Sequence, residues 1–180
     1  DHSSSLQPII IIGVLFFMFG FITWLNGALI PFLQLVCQLS EFQALLIAFS
    51  FYIAYVVMAL PMARVLAWSG YKNAMSIGLG LIALGCALFI PAAYSQQFAV
   101  FLLAQFVVGS GLTLLQTASN PYLVRVGPEH SAAARISLMG ILNKSAGVLA
   151  PLVFTHRRLI NWTTLPLLWK RCRSRKQFNY

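Results

Sequence analysis

Acidic side chains are nearly missing from this sequence. Only Asp1, Glu41 and Glu129 occur among its 180 residues, against 12 Lys and Arg. From Ser3 to Leu39 there is no formally charged residue of either sign. With Glu41 and Glu129 both in short polar connections, no carboxylate inside an apolar run can serve as general acid or base. His2, His130 and His156 have no carboxylate or thiol at metal-ligand or triad spacing, which excludes zinc and nucleophilic-triad chemistry. Cys37, Cys86 and Cys172 lack ligand spacing as well, and read as small buried residues. There is no glycine-rich phosphate loop, because Gly109-Ser110-Gly111 lies inside an apolar run rather than after a strand. The chain does not read as an enzyme.

What the sequence has is apolar length. Hydrophobic residues make up 59% and charged residues 8%, and the mean hydropathy is +0.82, outside the usual globular range. The run from Pro8 to Val36 exceeds the roughly 20 residues, at about 1.5 Å each, that cross a hydrocarbon core. It is too long for a signal-peptide core and has no basic segment ahead of it. Five spans are expected, over about 9–33, 42–66, 74–93, 98–124 and 136–154, joined by short polar connections. The fold class is therefore all-α, a polytopic membrane helix bundle surrounded by lipid. A net charge of +9 and a pI near 10 would ordinarily suggest nucleic acid. Here seven of the twelve basic residues follow Thr155, so a tail produces the value and no nucleic-acid partner is expected.

The loop charges give an orientation. Arg64 and Lys72 flank the second connection and Arg125 and Arg135 the fourth, while the first and third carry no Lys or Arg. The positive-inside bias places the second and fourth in the cytoplasm, together with the N-terminus of this multi-pass membrane protein. Five passes then end outside, where a polybasic segment has no anionic leaflet to bind. The composition also changes abruptly at His156-Arg157-Arg158. Residues 1–155 accordingly read as an incomplete transmembrane bundle, and 156–180 as a non-native tail left by frameshift or truncation. A genuine five-span protein with a basic outer tail is the alternative.

Polar residues inside the spans each need a partner. Gly109, Thr113, Gln116 and Asn120 recur at spacings of four, three and four, on one helix face, with Pro121 after them. Gly140, Asn143, Lys144 and Gly147 form a second stripe; Gly20, Thr23, Asn26 and Gly27, next to Trp24, form a third. Such stripes act either as interhelical glue or as the lining of a shared aqueous cavity, which satisfies the amides of Gln116, Asn120 and Asn143 best. Lys144 either snorkels toward the cytoplasmic end, lines the cavity, or pairs with a carboxylate elsewhere. Trp24 is either an aromatic face turned to that cavity or an aromatic anchor.

Several of these runs carry a resemblance. Phe19-Gly20-Phe21-Ile22-Thr23-Trp24-Leu25-Asn26-Gly27-Ala28-Leu29-Ile30-Pro31, Ala59-Leu60-Pro61 and Leu115-Gln116-Thr117-Ala118-Ser119-Asn120-Pro121-Tyr122 resemble the fucose permease and glucose/galactose transporter branch of the major facilitator superfamily. So do Val126-Gly127-Pro128-Glu129 and Asn143-Lys144-Ser145-Ala146-Gly147. The resemblance implies twelve spans in two halves, of which about five are present, and alternating access around a midplane sugar site. It implies a neutral hexose such as glucose or galactose as substrate, H+ or Na+ as coupling ion with no other cofactor, and a missing C-terminal half as partner. Fucose permeases carry an Asp in the first span and a Glu in the fourth; the matching positions here are Gly27 and Gln116, which puts proton coupling through this half in doubt. Asn143 matches the family's fifth-span Asn. The expected sugar-site set is Trp24, Asn26, Gln116, Asn120, Asn143 and Lys144. The rival is a non-transporting five-span structural or regulatory partner of another subunit.

Overall fold

The computed structural model describes residues 3–37, 39–95, 97–126 and 129–160. Four α-helices carry nearly all of them: α1 (Ser3–Cys37), α2 (Glu41–Ser95), α3 (Phe98–Arg125) and α4 (Ala132–Ile160), with a 3-10 turn at Glu129–Ser131 before α4. All four are long and apolar enough to cross a membrane. The architecture is all-α, as the apolar runs require: in lipid, only a helix or a closed barrel satisfies its own backbone.

Helix α2 has 55 residues, or about 82 Å if straight, far more than a hydrocarbon core of roughly 30 Å. It starts on a reciprocal cap, in which the Ser40 amide donates to Gln43 Oε1 and the Gln43 amide to Ser40 Oγ. Its regular geometry fails only at Gly70, with φ 74° and ψ 170°, backbone that glycine adopts without strain. The chain reverses there. Ile47 packs in one cluster with Ala92, and Met62 in another with Ala74, so the limbs 41–69 and 71–95 run antiparallel. Two separate spans joined by a loop over 68–73 were expected; a single glycine makes the turn instead, and the helical hydrogen bonding continues on both sides of it.

Helix α3 seats between these limbs. Phe101 joins the Ile47–Ala92 cluster, Leu112 and Leu115 join Phe51 and Ile82, and Leu114 and Ala118 join Met62 and Ala74. Small residues set the approach: a Cβ on Gly111 would lie 2.8 Å from the Gly78 carbonyl oxygen, and one on Gly85 would lie 2.5 Å from Val108. Such close backbone contact is how membrane helices associate without a hydrophobic driving force. Helix α1 pairs mainly with α4, in parallel: Gly13 faces Met139 and Leu142, Gly20 faces Asn143, and Gly147 faces Trp24.

Arg135 fastens the turn between α3 and α4. It is 8% exposed, and its guanidinium donates to the Leu123 and Val124 carbonyls at 3.2 and 3.1 Å and to Ser131 Oγ at 2.6 Å. The carbonyls at a helix end lack intrahelical partners, and a planar cation serves two of them at once. Helix α4 continues past the composition change at His156 as far as Ile160; of the expected tail 156–180, residues 161–180 lie outside the described residues, as do Gly127-Pro128.

Candidate functional site

The polar face of α3 is longer than the spacing pattern indicated. One turn before Gly109, Gln105 is fully buried. Its Nε2 donates to Asn26 Oδ1 at 2.6 Å, and Asn26 Nδ2 donates to Gln105 Oε1 at 2.8 Å. This reciprocal amide pair ties α1 to α3 and engages the Asn26 amide. Gly109 below it packs on the Phe51 carbonyl and Ala54, and the Thr113 hydroxyl donates to the Gly109 carbonyl at 2.8 Å. The face then opens: Gln116 is half-buried and Asn120 exposed, and neither amide has a hydrogen-bond partner among the described residues. The stripe is therefore glue along Gln105, Gly109 and Thr113 and becomes an open amide surface at Gln116 and Asn120.

Three more of the expected residues meet at the α1–α4 seam. Asn143 Nδ2 donates to the Phe16 carbonyl at 3.2 Å. The Trp24 indole lies against Gly147, where a Cβ would come within 2.6 Å of Nε1, so only glycine leaves room for the ring. Lys144 Nζ stands 5.8 Å from the Trp24 ring centroid, within cation–π range. Trp24 remains 46% exposed, and Lys144 is exposed on an open groove of α4. No hydrogen bond among the described residues joins this group to Gln116 or Asn120.

Lys144 lies twelve positions after Ala132, the start of α4, and its ammonium turns to an aromatic face.

The family model of the Major Facilitator Superfamily matches residues 5–156. The chain belongs to that superfamily. This facilitator chain is 46% identical over 138 residues to a glucose/galactose transporter of Brucella abortus, covering 77% of itself and 34% of that protein. It is 35% identical over 147 residues to the L-fucose-proton symporter of Escherichia coli K12, covering 82% and 34%. The crystal structure of the Escherichia coli fucose:proton symporter superposes with a TM-score of 0.74 at 33% identity, over 88% of this chain and 38% of that one. The chain thus spans about a third of the length of the curated relatives it matches. These similar proteins are membrane transporters and not enzymes.

Gln105 is the residue that sequence reasoning missed. The signal was present: it stands four positions before Gly109, on the same face as Thr113, Gln116 and Asn120.

Proposed function

We propose that this facilitator chain supplies the N-terminal part of the sugar pathway in a secondary transporter of a neutral hexose, glucose- or galactose-like, working by alternating access in the bacterial inner membrane. The observation that carries this reading is the open amide surface: Gln116 and Asn120 on α3 have no protein partner among the described residues, where an uncharged amide offers both donor and acceptor to a sugar hydroxyl. Asn143, Trp24 and Lys144 at the α1–α4 seam would border the same pathway, and Asn26 would hold α1 in place for it through Gln105. Similarity to glucose/galactose transporters supports the substrate class. The N-terminus would face the cytoplasm, H+ or Na+ would drive uptake, and a C-terminal half would complete the site. The rival, a five-span structural partner, draws no support from similarity to transporters.

A chimera tests the reading. Residues 6–155 replace the matching third of the Brucella abortus glucose/galactose transporter, and radiolabelled galactose uptake is measured in cells lacking their own hexose carriers. Saturable uptake competed by glucose is expected; a chimera present in the membrane that takes up neither sugar overturns it.

A further inference from the structure

Three helix ends meet at one end of the bundle. Gln7 stands just before the apolar run of α1, Lys72 two residues after the reversal at Gly70, and Tyr122 in the last turn of α3. Unpaired backbone at a helix end has no place in hydrocarbon, so this end lies at a membrane face. Between α1 and the limb 71–95 a slot of about 470 Å³ descends from it. Gln7 and Lys72 stand at its mouth; Ile11 and Leu15 form one wall and Met75 and Leu79 the other. From Lys72 to Leu79 the wall runs about 10 Å inward, at about 1.5 Å per residue. Ser76 lies on the same wall, and its hydroxyl is engaged, donating to the Lys72 carbonyl at 3.2 Å. The slot is thus apolar below a charged rim.

The charge on that rim has no counterpart in the protein. No ion pair engages Lys72 among the described residues. The neighbouring cation, Arg125, stands over the Tyr71 ring at 5.5 Å from its centroid, and Arg135 holds the adjacent end of α3. The end of the bundle that carries the slot is therefore basic, and the slot offers one free ammonium above an apolar channel.

We propose that this slot binds one anionic phospholipid, whose phosphate seats on Lys72 while an acyl chain lies between α1 and the limb 71–95. The phosphate answers the unpaired ammonium, and the chain covers apolar walls that a free phosphate would leave in water. A zwitterionic lipid brings its own cation to a rim that already holds Lys72 and Arg125, and fits less well. Basic rims between spans on the cytoplasmic side bind anionic headgroups, and the positive-inside bias gives this end to that side. The charge and shape of the slot do not depend on the hexose reading.

The test uses the full 180-residue chain, purified in detergent. It is titrated with dioleoyl phosphatidylglycerol or dioleoyl phosphatidylcholine, with inorganic phosphate as competitor, and the lipid retained is counted by native mass spectrometry. One phosphatidylglycerol per chain should be held, about fivefold or more tighter than phosphatidylcholine. Lys72→Gln should weaken it by about fivefold, the effect of one basic residue at a membrane surface, and Lys72→Arg should keep it. Arg64→Gln removes a charge from the same connection but outside the slot, and should leave binding unchanged. Leu79→Trp fills the slot and should release the lipid, with helicity by circular dichroism unchanged. Equal retention of the two lipids, equal losses in Lys72→Gln and Arg64→Gln, or full displacement by inorganic phosphate overturns the site. A lipid-free dimer would give the slot to a second copy of the chain. Phosphatidylglycerol held by the chain but lost from the chimera would give it to a helix of the longer transporter. Either result overturns the proposal. Failure of the hexose reading shows instead in the uptake of the chimera, which lipid retention does not report.

Discussion

Asn26 on α1 and Gln105 on α3, 79 positions apart in the chain, exchange two hydrogen bonds, at 2.8 and 2.6 Å. Each amide offers a donor and an acceptor, so the pair is self-complementary and needs neither water nor a third group. It stands between the cluster that holds Leu29 and Phe101 and the one that holds Ile22 and Val108, one turn from Gly109, and so fixes the register of α1 on α3. Sequence reasoning assigned Asn26 to the sugar; the structure gives its amide a protein partner.

The pair predicts a non-additive stability pattern. Asn26→Leu leaves the fully buried Gln105 amide without its partner and should destabilise the detergent-solubilised chain by about 1–3 kcal/mol. Asn26→Leu with Gln105→Leu should cost less than the sum of the two single changes, because no buried polar group is orphaned. Thermal melts that add simply would show that the pair is not coupled.

Glycines at the helix contacts and glycines on open faces should respond oppositely to alanine. A Cβ at Gly20 would overlap the Asn143 carbonyl, whereas one at Gly140 meets nothing within 4 Å. Gly20→Ala should part α1 from α4 and cost about 1–3 kcal/mol. Gly140→Ala should be neutral or raise stability by up to about 1 kcal/mol through helix propensity. Limited proteolysis and melting temperature read both; equal effects would contradict the α1–α4 packing.

Arg135 closes α3 onto α4 through two carbonyls and a hydroxyl. Arg135→Met keeps the apolar stem and leaves the carbonyls unpaired, with an expected loss of about 1.5–3 kcal/mol. Arg135→Lys should recover part of it, since an ammonium cannot reproduce the guanidinium fork. Hydrogen exchange at the end of α3 should rise in both variants, more in Met.

Gln116 separates sugar binding from glue. In the chimera, Gln116→Leu removes a donor and an acceptor at nearly constant volume and should weaken sugar affinity by roughly 1–3 kcal/mol, or about 5- to 150-fold. Gln116→Glu places a titrating carboxylate on the half-buried face and should change the pH profile of uptake from that of the parent. Unchanged affinity in Gln116→Leu would assign the residue to helix packing.

Topology follows from the reversal at Gly70. Single cysteines at Ser69 and at Gln97 stand at opposite ends of the limb 71–95 and should label from opposite sides of the membrane, Ser69 from the cytoplasm. Labelling of both by an impermeant external reagent would overturn the antiparallel pairing of the limbs.

The class of this protein is legible in its residues alone. Helices of bilayer length, the absence of an intramembrane carboxylate and the facilitator motifs are local properties of the chain, and lipid leaves an apolar run little choice but helix. Periodicity also placed Gly109, Thr113, Gln116 and Asn120 on one face of α3. Which end of that face is used for packing came from the fold, because burial depends on what lies opposite: Phe51 and Ala54 cover Gly109, while Asn120 stays exposed. The same holds for Gly70, since a glycine's φ is not written in its neighbours, and for the partners of Asn26 and Lys144, which lie 79 and 120 residues away along the chain. Local spacing gives a side chain its direction; the identity of the group it meets comes from helix packing.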